Sequence, residues 1–256
     1  MNSVGIIGVG YLGACLAEGL ASAGLSVLLS PRNAARSAEL AERFGCRIAS
    51  GNAEVIERSE VVFLSTRPAQ IAETASGLPW RADQVVISTA AGIGLDTIRP
   101  AVAPATAVRS MPIATSRLRR SPTAFYPENP TAAEVLRKLG TAIPFEDEGA
   151  FETASIFGAY YAMLYAFFDE MSGWAEMHGL PPEPARLLTA GMADAAAAAV
   201  IDRTDVAPRQ LLDDLLTPGG ISEEGLKVLR DAGALSRWRD AMDASLERAL
   251  AIKAVG

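Results

Sequence analysis

The sequence predicts an α/β fold in which a doubly wound parallel sheet is followed by an all-helical C-terminal domain. Up to about residue 145, short β-branched apolar runs alternate with helical patterns, which is typical of successive βαβ units. After Glu148 the strand signals stop, and helical segments follow with breaks at 179–182, 202–208 and 217–220. We therefore predict two domains, residues 1–148 and residues 149–256.

The first domain is predicted to contain strands at 3–8, 26–30, 61–65, 85–89 and 107–111. Between the first two strands, Leu12, Leu16 and Leu20 fall on one face of a helix, and Gly24 stands where a C-terminal cap is expected. In the second domain, a helix predicted over 151–178 is apolar on several faces and must be covered on several faces. We therefore expect a homodimer or larger homo-oligomer built through the helical domain.

Composition and charge exclude several classes of function. The chain has only two cysteines, Cys15 and Cys46, and one histidine, His178, so we expect no metal site and no disulfide framework. This cysteine usage and a start without a signal-peptide pattern predict a cytoplasmic location. A net charge of −7 argues against nucleic acid as a partner. The alanine-rich stretch at 190–200 is too short to span a bilayer, so we expect a buried helix and no membrane partner.

A glycine pattern at the end of the first predicted strand points to a dinucleotide. It reads Gly8, Val9, Gly10, Tyr11, Leu12, Gly13, between a predicted strand and a predicted helix. In a Rossmann domain the first glycine allows the tight turn, the second lets the backbone approach a pyrophosphate, and the third permits close helix packing. The diphosphate then lies at the helix N-terminus, where free N–H groups favour anions.

The residues after the second strand indicate which dinucleotide is bound. An NAD-binding domain usually places an acidic residue here for the ribose 2′-hydroxyl, whereas this chain has Ser30, Pro31, Arg32 and Asn33. An arginine can donate two hydrogen bonds to a 2′-phosphate, so NADP(H) is favoured over NAD. The alternative is that Arg32 is a solvated loop charge.

Four further segments resemble those of the pyrroline-5-carboxylate reductase family, and the likeness covers nearly the whole chain. Residues 61–68 are similar to a family strand that ends in Val-Lys-Pro, with Arg67 in the lysine position. Residues 87–93 resemble the Ser-x-Ala-Ala-Gly strand end, and residues 108–112 resemble the Arg-x-Met-Pro strand. Residues 215–222 look like the Ser-Pro-Gly-Gly-x-Thr loop at the start of a helix.

The resemblance implies an oxidoreductase of proline biosynthesis, which reduces the imine 1-pyrroline-5-carboxylate with NADPH. The cofactor positions that it implies, beyond the glycine turn, are Ser30, Arg32, Asn52, Ser65, Thr66, Arg67, Pro68 and Ala91. The substrate carboxylate would meet Pro218, Gly219, Gly220, Ile221 and Ser222. Ser222 is the candidate catalytic residue, because the family carries a threonine hydroxyl close to the substrate at this position.

Departures from the family pattern keep two other functions open. The family's Met-Pro-Asn-Thr-Pro becomes residues 111–115 with Ile113 for the asparagine, and its Ser-Gly-Ser-Gly-Pro helix opening becomes the aromatic segment 157–163. These changes favour either a reductase of a different imine or an NADP-binding protein without turnover.

The residues themselves favour reduction of C=N over C=O. A protonated imine already attracts a hydride, while a ketone needs a proton donor for the developing alkoxide. The three lysines, Lys138, Lys227 and Lys253, lie outside the long helix, and His178 at its end suits a helix cap better than catalysis. The alternative interpretation of the turn before Ser222 is a helix-capping turn in which Ser222 is the N-cap and no substrate is bound.

Overall fold

The computed structural model describes residues 3–255, and the side chains up to residue 251. The described residues contain eight strands: β1 (Ser3–Ile7), β2 (Ser26–Leu29), β3 (Arg47–Ile48), β4 (Val61–Leu64), β5 (Val85–Ser88), β6 (Thr106–Met111), β7 (Thr123–Tyr126) and β8 (Ala142–Pro144). The helices of the sheet region are α1 (Tyr11–Ser22), α2 (Ala34–Phe44), α3 (Asn52–Glu57), α4 (Ile71–Ala75), α5 (Leu95–Val102), α6 (Pro130–Leu139) and α7 (Glu148–Ser155). The remaining helices are α8 (Phe157–Met177), α9 (Pro182–Asp202), α10 (Pro208–Leu215), α11 (Ile221–Asp231) and α12 (Ala234–Val255).

The strands form one sheet in the order β3-β2-β1-β4-β5-β6-β7-β8, so the chain winds outward from β1 in both directions. All neighbours are parallel except β6 and β7. The five predicted strands are confirmed to within a residue at their ends. Strands β3, β7 and β8 were not predicted, because β3 has two residues, β8 ends in a proline at the sheet edge, and β7 lacks a long apolar run.

The sheet separates two hydrophobic layers. Alternate strand residues such as Ile6 and Phe63 face α1, α2 and α6, while Ile7 and Leu64 face α3, α4 and α5. Both faces of the central strands are therefore buried, which explains their nearly continuous apolar sequence. The carboxyl ends of β1, β2 and β4 lead into the turns described below.

The chain forms two compact units, and α7 lies in the first. The first unit runs to Gly158 and includes the residues from Glu247 onward, and the second unit is Ala159–Leu246. The boundary that the sequence suggests after residue 148 stays a prediction.

The prediction of one helix over 151–178 is wrong in one respect, because the structure has two helices, α7 and α8, with a break at Ile156. The Ser155 hydroxyl donates to the Glu152 carbonyl at 2.6 Å, and the Ile156 N–H donates to the Thr153 carbonyl at 3.2 Å. These short-range bonds tighten the last turn of α7 and end it.

The expectation that the alanine-rich segment forms a buried helix is also wrong for the single chain. The segment belongs to α9, and only 6% of the most apolar 18-residue stretch of this helix is buried. By length and composition alone α9 could cross a membrane. One such helix is weak evidence for a membrane span, since the core helices of soluble proteins can be equally long and apolar. The described residues of this chain therefore leave most apolar side chains of α9 exposed.

Candidate functional site

The glycine turn after β1 has the geometry that its sequence predicts. Gly8 has a φ of +100°, and a Cβ there would lie 2.6 Å from the Ser65 backbone. A Cβ on Gly13 would collide with the Gly8 carbonyl oxygen. A Cβ on Gly10 would meet nothing within 4 Å. The chain's own packing therefore requires glycine at positions 8 and 13, whereas the open space above Gly10 suits a group bound against the backbone.

Two polar side chains at the end of β2 hold this turn from behind. The Gly8 N–H donates to the Ser30 hydroxyl at 3.1 Å, and Ser30 is buried. The Asn33 side-chain amide donates to the Val9 carbonyl at 3.0 Å, while its oxygen accepts from the Arg36 N–H and caps α2. Sequence reasoning missed the role of Asn33, although an asparagine just before a helical pattern is a recognisable N-cap signal.

The turn opens into a cleft of about 950 Å³ in the first unit. The predicted cofactor residues that line it are Gly8, Val9, Gly10, Ser30, Arg32, Asn52, Ser65, Thr66 and Arg67. The predicted residues outside its lining are Tyr11, Leu12, Gly13, Pro68 and Ala91. Tyr11, Leu12 and Gly13 are the first residues of α1, so they support the turn, and Ala91 follows β5. The cofactor roles of all these residues stay predictions.

The cleft offers positive charge and free polar groups to an anion. Arg32 and Arg67 both line it and are both exposed, and Glu73 is the one carboxylate in its described lining. Among the described residues, the buried Thr66 hydroxyl at its wall has no hydrogen-bond partner. An uncovered glycine, two arginines and an unpaired hydroxyl fit a phosphorylated dinucleotide such as NADP(H).

A carboxylate stabilises the part of the cleft wall that contains Asn52. Glu54 accepts from the Ser50 N–H and the Ser50 hydroxyl, both at 2.8 Å, and from Arg58 at 2.9 Å. These hydrogen bonds, the Ser50 N–H first, lower the pKa of Glu54 to about 2. Glu54 therefore stays ionised and holds the first turn of α3, where Asn52 faces the cleft.

A buried ion-pair cluster lies at the end of β6, where sequence reasoning noted only a family-like strand. Arg109 is 2% exposed and donates to Glu148 at 2.9 Å and to Glu152 at 2.7 Å. Its guanidinium lies 4.8 Å from the centre of the Phe151 ring. These contacts join β6 to α7 within the first unit. No local pattern predicts these contacts, because the partners are 39 and 43 residues apart in the chain.

The predicted substrate loop precedes α11 in the second unit. The Gly220 N–H donates to the Thr217 carbonyl at 2.8 Å, and Gly219 has a φ of +72°, so residues 217–220 form a tight turn. Gly220 is the N-cap of α11 and Ser222 is the second residue of the helix. The alternative interpretation of Ser222 as the N-cap is therefore wrong. Ser222 is exposed, as are Ile221 and Gly219.

The N–H of Gly219 in this turn already has an anionic partner. It donates to the Glu223 carboxylate at 2.7 Å. The sequence placed Glu223 and Glu224 near the turn, where they repel an anion unless they point to solvent. The structure instead turns Glu223 back onto the backbone that was expected to meet the substrate.

The histidine and the cysteines have structural surroundings. The His178 Nδ1 lies 2.8 Å from the Trp174 carbonyl at the end of α8, which agrees with the interpretation as a helix cap. Both cysteines are free and buried, and burial raises the pKa of Cys46 to about 11 and also raises that of Cys15. Within residues 3–251, no group of three or more His, Cys, Asp or Glu side chains is placed to hold a metal ion.

Comparison with known proteins gives two family matches and several relatives. Residues 3–92 match the model of NADP oxidoreductase coenzyme F420-dependent, and residues 151–252 match that of pyrroline-5-carboxylate reductase dimerisation. Pyrroline-5-carboxylate reductase 2 of Bacillus subtilis is 26% identical, with 94% of this chain and 90% of the relative covered. The Methanosarcina acetivorans pyrroline-5-carboxylate reductase is also 26% identical, with 96% of each covered. The fold is shared with Plasmodium falciparum pyrroline carboxylate reductase with NADP bound, at a TM-score of 0.84, 18% identity and 98% of each chain covered.

Proposed function

Because the chain belongs to the pyrroline-5-carboxylate reductase family, we propose that it reduces 1-pyrroline-5-carboxylate to proline with NADPH. The observation that carries the proposal is the cleft at the end of β1, in which Gly10 is uncovered and Arg32 is exposed. It is supported by relatives that match along almost their whole length.

The first unit would hold the cofactor. The N–H groups at the start of α1 favour the diphosphate, and Arg32 can donate to the 2′-phosphate. The Thr66 hydroxyl and Arg67 offer further donors to a phosphate or ribose oxygen. The bound nicotinamide supplies the hydride. The residues of this chain orient it and do not need to take part in the electron transfer.

The imine carbon needs little help from a side chain. Protonation of the ring nitrogen makes the neighbouring carbon electrophilic, and after hydride addition the nitrogen keeps its proton, so no alkoxide must be neutralised. Ser222 is proposed to hydrogen-bond the substrate from the start of α11, and the backbone from Pro218 to Ile221 to position it. The role of these residues is supported by the family resemblance and by their exposure.

The experiment that tests the proposed function is the loss of NADPH absorbance in the presence of purified protein and 1-pyrroline-5-carboxylate. A panel of other cyclic imines and NADH runs beside it. We expect turnover of 1-pyrroline-5-carboxylate with a preference for NADPH. Tight NADPH binding without reduction of any imine would contradict the proposal and favour a non-catalytic NADP-binding protein.

A second candidate is a reductase of a different imine. It is favoured by one observation, the hydrogen bond from Gly219 to Glu223, which places a carboxylate of the chain where the substrate carboxylate is expected. Turnover of a panel imine in preference to 1-pyrroline-5-carboxylate would select this candidate.

We also propose that the protein is a cytoplasmic homodimer or larger homo-oligomer assembled through its helical region. The proposal is supported by the match to a dimerisation family and by exposed apolar side chains on α8 and α9, among them Trp174, Met177, Leu187, Met192 and Ile201. A second copy covering α9 would explain its apolar surface without a membrane. Light scattering of the detergent-free protein tests this, and a monomer or a requirement for detergent would contradict it.

A further inference from the structure

Two hydroxyl side chains lie together where β4 and β5 end, and one of them keeps a hydrogen to donate. The Thr89 hydroxyl donates to the Leu64 carbonyl at 3.4 Å and to the Ser65 hydroxyl at 3.2 Å. A serine hydroxyl has one hydrogen and two lone pairs, so Ser65 accepts from Thr89 and keeps its own hydrogen for another partner. In the described part of the chain, no acceptor is placed for that hydrogen.

Ser65 forms part of the wall of the cleft, and Thr89 lies behind it. Ser65 and Thr66 line the cleft, whereas Thr89 is outside its lining. A Cβ on Gly8 would lie 2.6 Å from the Ser65 carbonyl, so Ser65 is next to the glycine turn. The Ser65 hydroxyl hydrogen is therefore available to a molecule bound in the cleft.

The next residue gives an independent sign that this wall meets a ligand. The Thr66 hydroxyl is buried and has no hydrogen-bond partner within the side chains that the structure describes. A buried hydroxyl without a partner lowers the stability of a protein, so it calls for a bound molecule or an ordered water. Two neighbouring residues of one wall thus have hydroxyl groups to which the chain supplies no acceptor.

The strand order indicates which half of a dinucleotide reaches this wall. A Rossmann domain binds a dinucleotide across the point where the strand order reverses, which here lies between β1 and β4. On the β2 side of this point, Arg32 is proposed for the 2′-phosphate of the adenosine half. The half that carries the nicotinamide therefore extends over the ends of β4 and β5, where Ser65 and Thr89 lie.

We propose that the Ser65 hydroxyl donates a hydrogen bond to a phosphate or ribose oxygen in the nicotinamide half of NADPH, and that Thr89 is a positioning residue for this hydroxyl. The inference rests on the proposed function, since it assigns roles within the same cofactor site. Thr89 does not touch the cofactor. By donating to Ser65, it directs the Ser65 hydrogen away from itself, and a donor that is already oriented loses less freedom on binding.

The test uses ligands that end at different points of the cofactor, with the full-length protein. Adenosine 2′,5′-bisphosphate ends at the first phosphate, 2′-phospho-ADP adds the second phosphate, and 2′-phospho-ADP-ribose adds the second ribose. Calorimetric titration gives Kd for each of them and for NADPH. The variants are Ser65→Ala, Thr89→Val, which keeps the shape of threonine without its hydroxyl, and Thr89→Ser, which keeps the hydroxyl.

We expect Ser65→Ala to weaken binding of NADPH and 2′-phospho-ADP-ribose about fivefold, as for one hydrogen bond, and to leave binding of adenosine 2′,5′-bisphosphate unchanged. A loss that begins with 2′-phospho-ADP assigns the hydrogen bond to the phosphate, and a loss that begins with 2′-phospho-ADP-ribose assigns it to the ribose. Thr89→Val should show the same pattern at about threefold, because Ser65 remains but its hydroxyl rotates freely. Thr89→Ser should bind as wild type does.

Thr123→Val is the matched control for Thr89→Val. Thr123 is a buried threonine of the same unit on β7, outside the cleft lining, and its hydroxyl lies 2.9 Å from the Ser121 hydroxyl. Its replacement removes a buried hydrogen bond away from the cofactor, so thermal unfolding should occur at a lower temperature while every Kd stays unchanged. A purely structural role of Thr89 would give this same result.

The outcomes separate this inference from the proposed function. Equal losses for all four ligands in Ser65→Ala, or no loss for any of them, overturn the inference, while reduction of 1-pyrroline-5-carboxylate by wild type leaves the proposed function standing. Wild-type binding by Thr89→Val, or a Thr89→Ser protein that binds no better than Thr89→Val, overturns the positioning role. If the expected pattern of binding is found but wild type reduces no imine, the proposed function is overturned and the inference stands.

Discussion

The glycine turns before α1 and α11 both lead into a helix whose N-cap is a glycine without a side-chain cap, yet they present different charges to an incoming anion. The turn before α1 is held from behind by Ser30 and Asn33, and no acidic residue follows in the first turn of the helix. The turn before α11 has Glu223 on its own backbone and Glu224 beside it. Of these two helix starts, the one before α1 therefore suits an anion better, because no carboxylate of the chain lies in its first turn.

The largest loss of stability and of cofactor binding is expected when the turn before α1 loses its shape. In Gly8→Ala, a Cβ must fit 2.6 Å from the Ser65 backbone at a φ of +100°. The strain and overpacking should lower the free energy of unfolding by about 3 kcal/mol or more and abolish measurable NADPH binding. Thermal unfolding and fluorescence titration check this.

Gly10→Ala is the matched control for Gly8→Ala. Its Cβ meets nothing within 4 Å, so stability should stay within about 0.5 kcal/mol of wild type. Affinity for NADPH and NADH should nevertheless fall by about tenfold or more, because the methyl group occupies space that a diphosphate needs. Normal binding by Gly10→Ala would show that no ligand approaches this backbone.

The second prediction separates phosphate recognition from the shape of the turn. Arg32→Ala should weaken NADPH binding about 100-fold, equivalent to two hydrogen bonds to a charged group, and NADH binding by less than about twofold. Arg43→Ala, at the far end of α2 in an exposed pair with Glu39, should change neither. Equal losses for NADPH and NADH in Arg32→Ala would remove the 2′-phosphate role.

The third prediction concerns the support behind the first turn. Asn33→Ala removes both the bond to the Val9 carbonyl and the cap of α2. We expect affinity for NADPH and NADH to fall equally, by about fivefold, with a loss of about 1 kcal/mol in stability. Calorimetric titration with both cofactors checks the equality, and a selective loss of NADPH would assign Asn33 to the 2′-phosphate instead.

The first turn could be predicted from the sequence because each of its requirements is local. A positive φ at Gly8, close packing at Gly13 and an open position at Gly10 all follow from the spacing of three glycines after an apolar strand. The central strands were predictable for the same reason, since burial on both faces produces continuous apolar runs. Short edge strands such as β3 have no such run.

The second turn and the ion-pair cluster show what the sequence could not supply. The presence of Glu223 near the turn was visible, but whether its carboxylate faces solvent or the Gly219 N–H depends on a rotamer. The partners of Arg109 depend on how α7 lies against β6, which no periodicity of either segment encodes. The exposure of α9 likewise depends on what covers it, and one chain does not contain that information.

The smallest expected effect is that of a substitution in the first turn of α11. Ser222 is the second residue of α11, not its cap, so Ser222→Ala should leave stability within about 0.5 kcal/mol of wild type. If its hydroxyl meets the substrate, kcat/KM for the preferred imine should fall about fivefold, as for one neutral hydrogen bond, and Ser222→Thr should restore it. Steady-state kinetics on both variants measure this. Unchanged turnover in a folded Ser222→Ala protein would remove the hydroxyl from the site and leave the backbone of the turn before α11 as the remaining candidate for substrate binding.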